Sequence, residues 1–374
     1  MSVLTSSVMP QTRCEIEHLD LRAVATTTTP RPPKAPERQA ISIAQYHPEL
    51  SSVIGPRPSY SMLLSSWDSS QKPLFHAACI YVPRPQIDEL YITSNLLPPP
   101  IDSELPVILI SKVQLLRDGS GRVAWVKWQK LRPPSNIPLP TGGSRYRDGI
   151  LFCAQGDSSN GTGGLYYLSG NDPPQPVVTN YFGRDFNSVR DAVVARDGSL
   201  WFIDACDRLK SKFREEPRLP CHVYRYDPAN GDLRVMADGL EQPHGIVFAP
   251  DEHTVYVSDT GPVRADDTTN LTSAGIIHAF DVVKRSGSPF LANRRVFACI
   301  LTGNPMGIIC DKNGNIYAGC AAGVEIWGAG GSILGVIEVP GGVASLSWGR
   351  EDELFLCAEQ RLWMMDVGGN VEER

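Results

Sequence analysis

The sequence predicts an all-β protein: a six-bladed β-propeller preceded by an N-terminal extension. Three observations lead there. A short phrase, turn residues followed by a burst of β-branched or aromatic residues, recurs six times. The copies are PQIDELYIT ending at Thr93, YRDGILFCA ending at Ala154, ARDGSLWFID ending at Asp204, PDEHTVYVSD ending at Asp259, DKNGNIYAG ending at Gly319 and REDELFLCA ending at Ala358. Successive copies lie roughly 40 to 60 residues apart, the period of propeller blades. Convincing amphipathic helical patterns are nearly absent, while turn signals at Asp118-Gly119, Asp197-Gly198, Asn230-Gly231 and Asn313-Gly314 separate short apolar runs.

Taken in order, residues 1–57 read as an extension and linker, and 58–374 as one propeller. TTTTPRPPKAPERQ (26–39) is Pro-rich and aperiodic, so it reads as an extended linker. Its flanks, CEIEHLDLRAV and ISIAQYHPEL, each suit a short strand or helix docked on the ring. The alternatives are a disordered tail or a strap that closes the ring or covers its mouth. From residue 74 on, runs such as VILISKVQLL, RVAWVKWQ, GLYYLSG, CHVYRYD, GIIHAFDVV, VEIWG and RLWMMDV read as strands. Blades in a ring aim their innermost strands at one axis, so a site is expected at the mouth of that axis.

Composition excludes several function classes. Of 374 residues, 42% are hydrophobic and 20% charged, as in ordinary globular domains. Net charge is -6 and no basic stripe is visible, which argues against nucleic acid as a partner. No window approaches 18 uninterrupted apolar residues, so no membrane span is expected. The start of the chain lacks a secretory pattern. The nine cysteines are scattered and none forms a C-x-x-C pair, which suits reduced core thiols in a cytoplasmic protein. There is no G-x-S-x-G elbow, H-E-x-x-H, Walker loop or dinucleotide fingerprint, and no cofactor is expected.

Particular phrases carry a family resemblance. PHGIVFAPDEHTVYVSDT (243–260), FNSVRDAVVARDGSLWFID (186–204), NPMGIICDKNGNIYAG (304–319) and FHAACIYVPRPQIDELYITSN (75–95) resemble the gluconolactonase/regucalcin (senescence marker protein) family, especially its fungal lactonohydrolases. The resemblance spans about residues 74 to 366. It implies a six-bladed propeller, and its typical members are calcium- or zinc-dependent lactone hydrolases. It also implies a metal held at the axis by one Glu, two Asn and one Asp. The matching positions here are Ala77, Arg190, His244 and Met306. Calcium wants six to eight oxygen ligands, and this quartet offers a methyl, a guanidinium, an imidazole and a thioether. Zinc would accept His244 but needs further ligands, with His76 and Cys79 nearest in sequence. The sequence therefore predicts no metal.

Arg190 and His244 are the candidate catalytic residues. Arg190 reads as a fixed cationic donor at the pocket floor, or else as a rim arginine paired with Asp191 or Asp185. His244 can donate to a carbonyl or move a proton, since a histidine ordinarily titrates near neutrality; its alternative is to hold a loop. Met306, Ala77, His76, Gln155 and Asp191 are the candidate substrate-binding residues, Met306 as a soft apolar wall. Asp157 is a weaker neighbour of Gln155, and Asn187 and Asp204 read as turn and strand-end residues.

This pocket suits an apolar, carbonyl-bearing small molecule. The primary expectation is a metal-independent biosynthetic enzyme of fungal secondary metabolism, catalysing cyclisation or hetero-Diels–Alder cycloaddition of a quinone-methide-like substrate. It is similar in that respect to what the tropolone-sesquiterpenoid hetero-Diels–Alderases require. The alternatives are a lactone hydrolase, with His244 as general base and Arg190 as oxyanion stabiliser, and a non-catalytic binding propeller.

Overall fold

A computed structural model describes residues 3–26, 40–99, 105–131, 137–157, 161–170, 172–206, 218–261 and 275–368. It is nearly all β, with two short helices, Leu21–Thr26 and Leu50–Val53. Six antiparallel blades follow one another along the chain, and a small hairpin pairs Asn180–Tyr181 with Arg184–Asp185 between the second and third. The predicted propeller is the observed fold.

Every copy of the recurring phrase forms the second strand of its blade: Asp88–Thr93, Gly149–Asp157, Leu200–Asp204, Thr254–Asp259, Ile316–Cys320 and Glu353–Ala358. The physical reason is burial on both faces. All residues of Asp88–Thr93 and of Leu200–Asp204 are buried. A strand covered on both sides carries a continuous apolar run rather than an alternation, and such runs are easily seen in a sequence. The turns before them work as predicted. Asp197 accepts from the Ser199 amide at 2.9 Å, and Gly198 takes φ +83°, a region glycine enters without strain.

The innermost strands are Ala77–Val82, Pro140–Tyr146, Val189–Val194, Pro243–Phe248, Ile308–Cys310 and Ser345–Trp348. They crowd together near the axis. A Cβ on Gly142 would lie 2.2 Å from the Arg190 carbonyl oxygen, so only glycine lets the second and third blades approach so closely.

The first 57 residues contribute strands to outer edges. Ser42–Gln45 pairs antiparallel with Ile333–Glu338 of the fifth blade, and Glu15–His18 lies parallel on Ser42–Gln45. Val3–Ser7 pairs with Val123–Leu131 of the first blade. Ser59–Ser65 is the fourth strand of the sixth blade, against Arg361–Asp366, and Thr12–Arg13 pairs with it. The sixth blade is thus made from both ends of the chain, which closes the ring. Of the Pro-rich stretch 26–39, Thr26 ends the helix Leu21–Thr26 and residues 27–39 lie outside the described residues.

A charge cluster built around buried Asp88 ties the first blade to the sixth. Asp88 is fully buried and accepts from Arg117 Nε at 3.1 Å and from Arg350 Nη2 at 2.8 Å. Arg117 also grips Glu353 with two hydrogen bonds of 2.5 and 2.8 Å. Tyr81 stacks on Phe355 across the same seam, with ring centroids 5.8 Å apart. Among the described residues, no helix is long and apolar enough to cross a membrane.

Candidate functional site

The inner strands reach the axis through β-bulges. In Val189–Val194, Val189 faces Asp204 and Asp191 faces Ile203, so Arg190 is the extra residue. In Pro243–Phe248, Pro243 faces Asp259 and Gly245 faces Ser258, so His244 is the extra residue. The first and second blades carry one extra residue each, between Ala77 and Ile80 and between Pro140 and Gly143. A bulge turns a side chain out of the pleat and re-aims it. At the axis lies a cavity of about 630 Å³, which Arg190 and His244 both line.

All seven residues expected at the site line this one cavity: His76, Ala77, Gln155, Arg190, Asp191, His244 and Met306. Asp157 does not. The remaining wall is mixed, with Leu96, Ile246 and Ile309 among its apolar members.

A belt of hydrogen bonds from blade to blade holds these positions. Thr93 Oγ1 donates to the Thr141 carbonyl at 3.0 Å, and Thr141 Oγ1 to the Val189 carbonyl at 3.2 Å. Asp191 accepts from the Ile246 amide at 3.1 Å. Ser258 Oγ donates to the Met306 carbonyl at 2.9 Å. The Gly307 amide donates to the Ala344 carbonyl at 3.0 Å, and the Cys79 amide to Ser345 Oγ at 3.3 Å. The belt joins all six blades.

Asp191 is part of this belt. Its other oxygen accepts from the Ala192 amide at 2.9 Å. Burial pushes its carboxyl up to about 7, against the pull of the amides of Ile246, Ala192 and Gly143. Asn187 lies at a chain bend and Asp204 at a strand end, as expected: the amides of Asn187 and Ser188 donate to the Asp204 carboxylate at 3.0 and 2.6 Å.

His244 departs from expectation. Burial pushes it down to about 3, helped by Arg190 and His76 nearby, so the imidazole stays neutral rather than titrating near pH 7. Among the described residues its buried Nδ1 has no hydrogen-bond partner. A buried lone pair is easier to leave unpaired than a buried N–H. The tautomer protonated at Nε2 is therefore preferred, and the ring offers the cavity a donor.

Two residues not predicted from sequence, Glu359 and Asn95, join the predicted His76. His76 Nδ1 donates to Glu359 Oε1 at 2.7 Å. Asn95, also in the cavity wall, donates to Glu359 Oε2 at 3.4 Å. Glu359 is 283 residues from His76, and no local pattern links them. His76, Cys79 and His244 do line one cavity, yet among the described residues no group of three or more His, Cys, Asp or Glu is placed to hold a metal ion.

Residues 148–359 match the family model described as SMP-30/Gluconolactonase/LRE-like region. Lactonohydrolase oryL of Aspergillus oryzae is 27% identical over 343 residues, covering 85% of this chain and 70% of the relative. Lactonohydrolase oryH of the same organism is 31% identical, covering 82% of this chain and 76% of the relative. Among solved structures, XC5397, a gluconolactonase from Xanthomonas campestris, superposes with a TM-score of 0.66 at 23% identity, covering 91% of this chain and 99% of that one. These relatives are named for lactone hydrolysis. That finding overturns the expectation of a metal-independent cyclase or hetero-Diels–Alderase. The physical reason for the error is that Arg190 and His244 can polarise any carbonyl, so their chemistry did not discriminate between the two reactions.

Proposed function

The chain belongs to the SMP-30/gluconolactonase/LRE-like family, and from that premise we propose that it is an enzyme that opens an apolar lactone to its hydroxy acid. The observation that carries this reading is the pair of bulge residues, Arg190 and His244, that line one cavity. A lactone carbonyl attacked by water develops negative charge on oxygen, and fixed donors at that oxygen stabilise it. The Arg190 guanidinium supplies charge and His244 supplies a neutral N–H. Met306, Ala77, Leu96 and Ile309 offer the rest of the ring and any alkyl chain an apolar wall.

The residues do not fit the divalent cation of typical family members. At the four matching positions Ala77 and Met306 offer no oxygen, and Arg190 places a cation where a cation would sit. No step of the reaction is routed through a metal. No disulfide joins the nine cysteines, and we read the chain as a protein of a reducing compartment such as the cytoplasm.

A direct test is hydrolysis of alkyl γ- and δ-lactones followed by acid release, with and without EDTA. Wild-type protein is expected to release acid at the same rate in chelator. Arg190→Ala is expected to lose about 10²–10³-fold in kcat with an unchanged melting temperature. Failure to open any such lactone would refute the activity. Loss of activity in EDTA would refute the metal-free site.

A further inference from the structure

His244 is too weakly basic at about 3 to draw a proton from water, and Asp191 in the same wall has both carboxyl oxygens engaged by the amides of Ile246 and Ala192, so the base is sought elsewhere in the cavity. We propose that His76, held by Glu359, is the general base of the reaction. The inference rests on the lactone-hydrolysis reading and adds to it the group that activates water.

Several independent features place the pair. The 2.7 Å contact runs from His76 Nδ1 to Glu359 Oε1. A carboxylate accepts only, so Nδ1 carries the hydrogen and the lone pair lies on Nε2. The ring lines the cavity that holds Arg190 and His244, and its side chain keeps 18% exposure. His76 is close enough to His244 to act on it electrostatically, so base and oxyanion donors face one volume. The backbone secures both partners. The Phe75 amide donates to the Glu359 carbonyl at 2.8 Å, and the His76 amide to the Thr93 carbonyl at 3.0 Å. Glu359 itself sits at φ +56°, a left-handed conformation that strains a side-chain-bearing residue. Such strain persists where surroundings impose it, and it collects at working sites. A carboxylate that fixes the tautomer and orientation of an imidazole is a recurring arrangement for a catalytic base.

The step balances without a further reactant. His76 Nε2 takes a proton from water as the water oxygen bonds to the carbonyl carbon. The carbonyl electron pair moves to oxygen beside Arg190 and the His244 N–H. The tetrahedral intermediate then collapses, the ring C–O bond breaks, and the imidazolium returns its proton to the departing alkoxide. The net change is addition of one water.

The test measures kcat and KM of the full-length protein on an alkyl δ-lactone for wild type, His76→Gln, His76→Ala, Glu359→Gln and the double variant His76→Ala/Glu359→Gln. His76→Gln is expected to lose about 10²–10⁴-fold in kcat with KM nearly unchanged. Added imidazole is expected to restore part of the activity of His76→Ala. Glu359, which acts through His76, is a positioning residue. Glu359→Gln is expected to lower kcat alone in the wild-type background and to change nothing further beside His76→Ala, because the two act as a unit. Wild-type kcat in His76→Gln, or additive losses in the double variant, would overturn the pair while leaving lactone hydrolysis standing. A wild-type protein that opens no lactone would overturn both. Should His76→Ala fail to fold, His76→Gln and Glu359→Gln decide the matter.

Discussion

His244 illustrates what a cavity wall does to one side chain. Burial, Arg190 and His76 together hold it at about 3, and its Nδ1 has no partner among the described residues. It therefore stays in one protonation state across the usable pH range. His244→Ala is expected to lower kcat about 10²-fold by loss of one oxyanion donor. The ratio to wild type should be constant from pH 5 to 9. A ratio that varies through neutrality in the pH–rate profile would show that His244 titrates in the reaction. Arg190 and His244 could be singled out in the sequence only through the family resemblance, which implies ligand positions there. Glu359 could not, since a contact spanning 283 residues exists only once the ring has closed. His244's lost basicity was not legible either, because desolvation depends on what covers a group and not on its neighbours in sequence.

Bulges and loops decide the next level. The recurring phrases mark second strands because burial on both faces demands an apolar run. The inner strands were harder to see. Pro140–Tyr146 reads PTGGSRY, with no such run, since one edge faces the cavity and its glycines permit close approach. In the fifth blade, buried Glu325 fastens the segment leading from the fourth. It accepts from the amides of Leu301 at 2.9 Å and Thr302 at 3.1 Å. Burial pushes its carboxyl up to about 7, against those two bonds. The sign follows. Below the unfolded value of about 4.5 both states are protonated. As pH rises towards 7 the unfolded chain releases a proton that the folded chain keeps, so stability falls, and above that the loss is complete. Glu325→Gln retains an acceptor oxygen and cannot ionise. Its melting temperature should therefore rise relative to wild type between pH 4.5 and 7.5, reaching roughly 3 kcal/mol of added stability. Parallel curves of melting temperature against pH would refute this account.

Ring closure belongs to the whole molecule. The first and sixth blades meet through Asp88, Arg117, Arg350 and Glu353, and the sixth blade borrows Ser59–Ser65 from the N-terminal side. Asp88→Ala would leave two arginines against a seam shaped for a carboxylate. It is expected to destabilise the fold by about 3 kcal/mol, read as a lower midpoint in urea with an unchanged slope. A midpoint equal to wild type would show that the seam does not depend on the cluster.

The sequence alone determined the class of fold and the number of blades, because burial on both faces imprints a recognisable phrase each time it occurs. It also located Arg190, His244 and Met306 as the residues to watch. Only the tertiary structure decided how they meet: Arg190 and His244 stand at bulges and line one cavity, burial keeps His244 neutral, and ring closure brings Glu359 to His76. Strand patterns are written locally by the solvent each face avoids, whereas the chemistry of a cavity is set by groups that approach one another only after distant blades have packed.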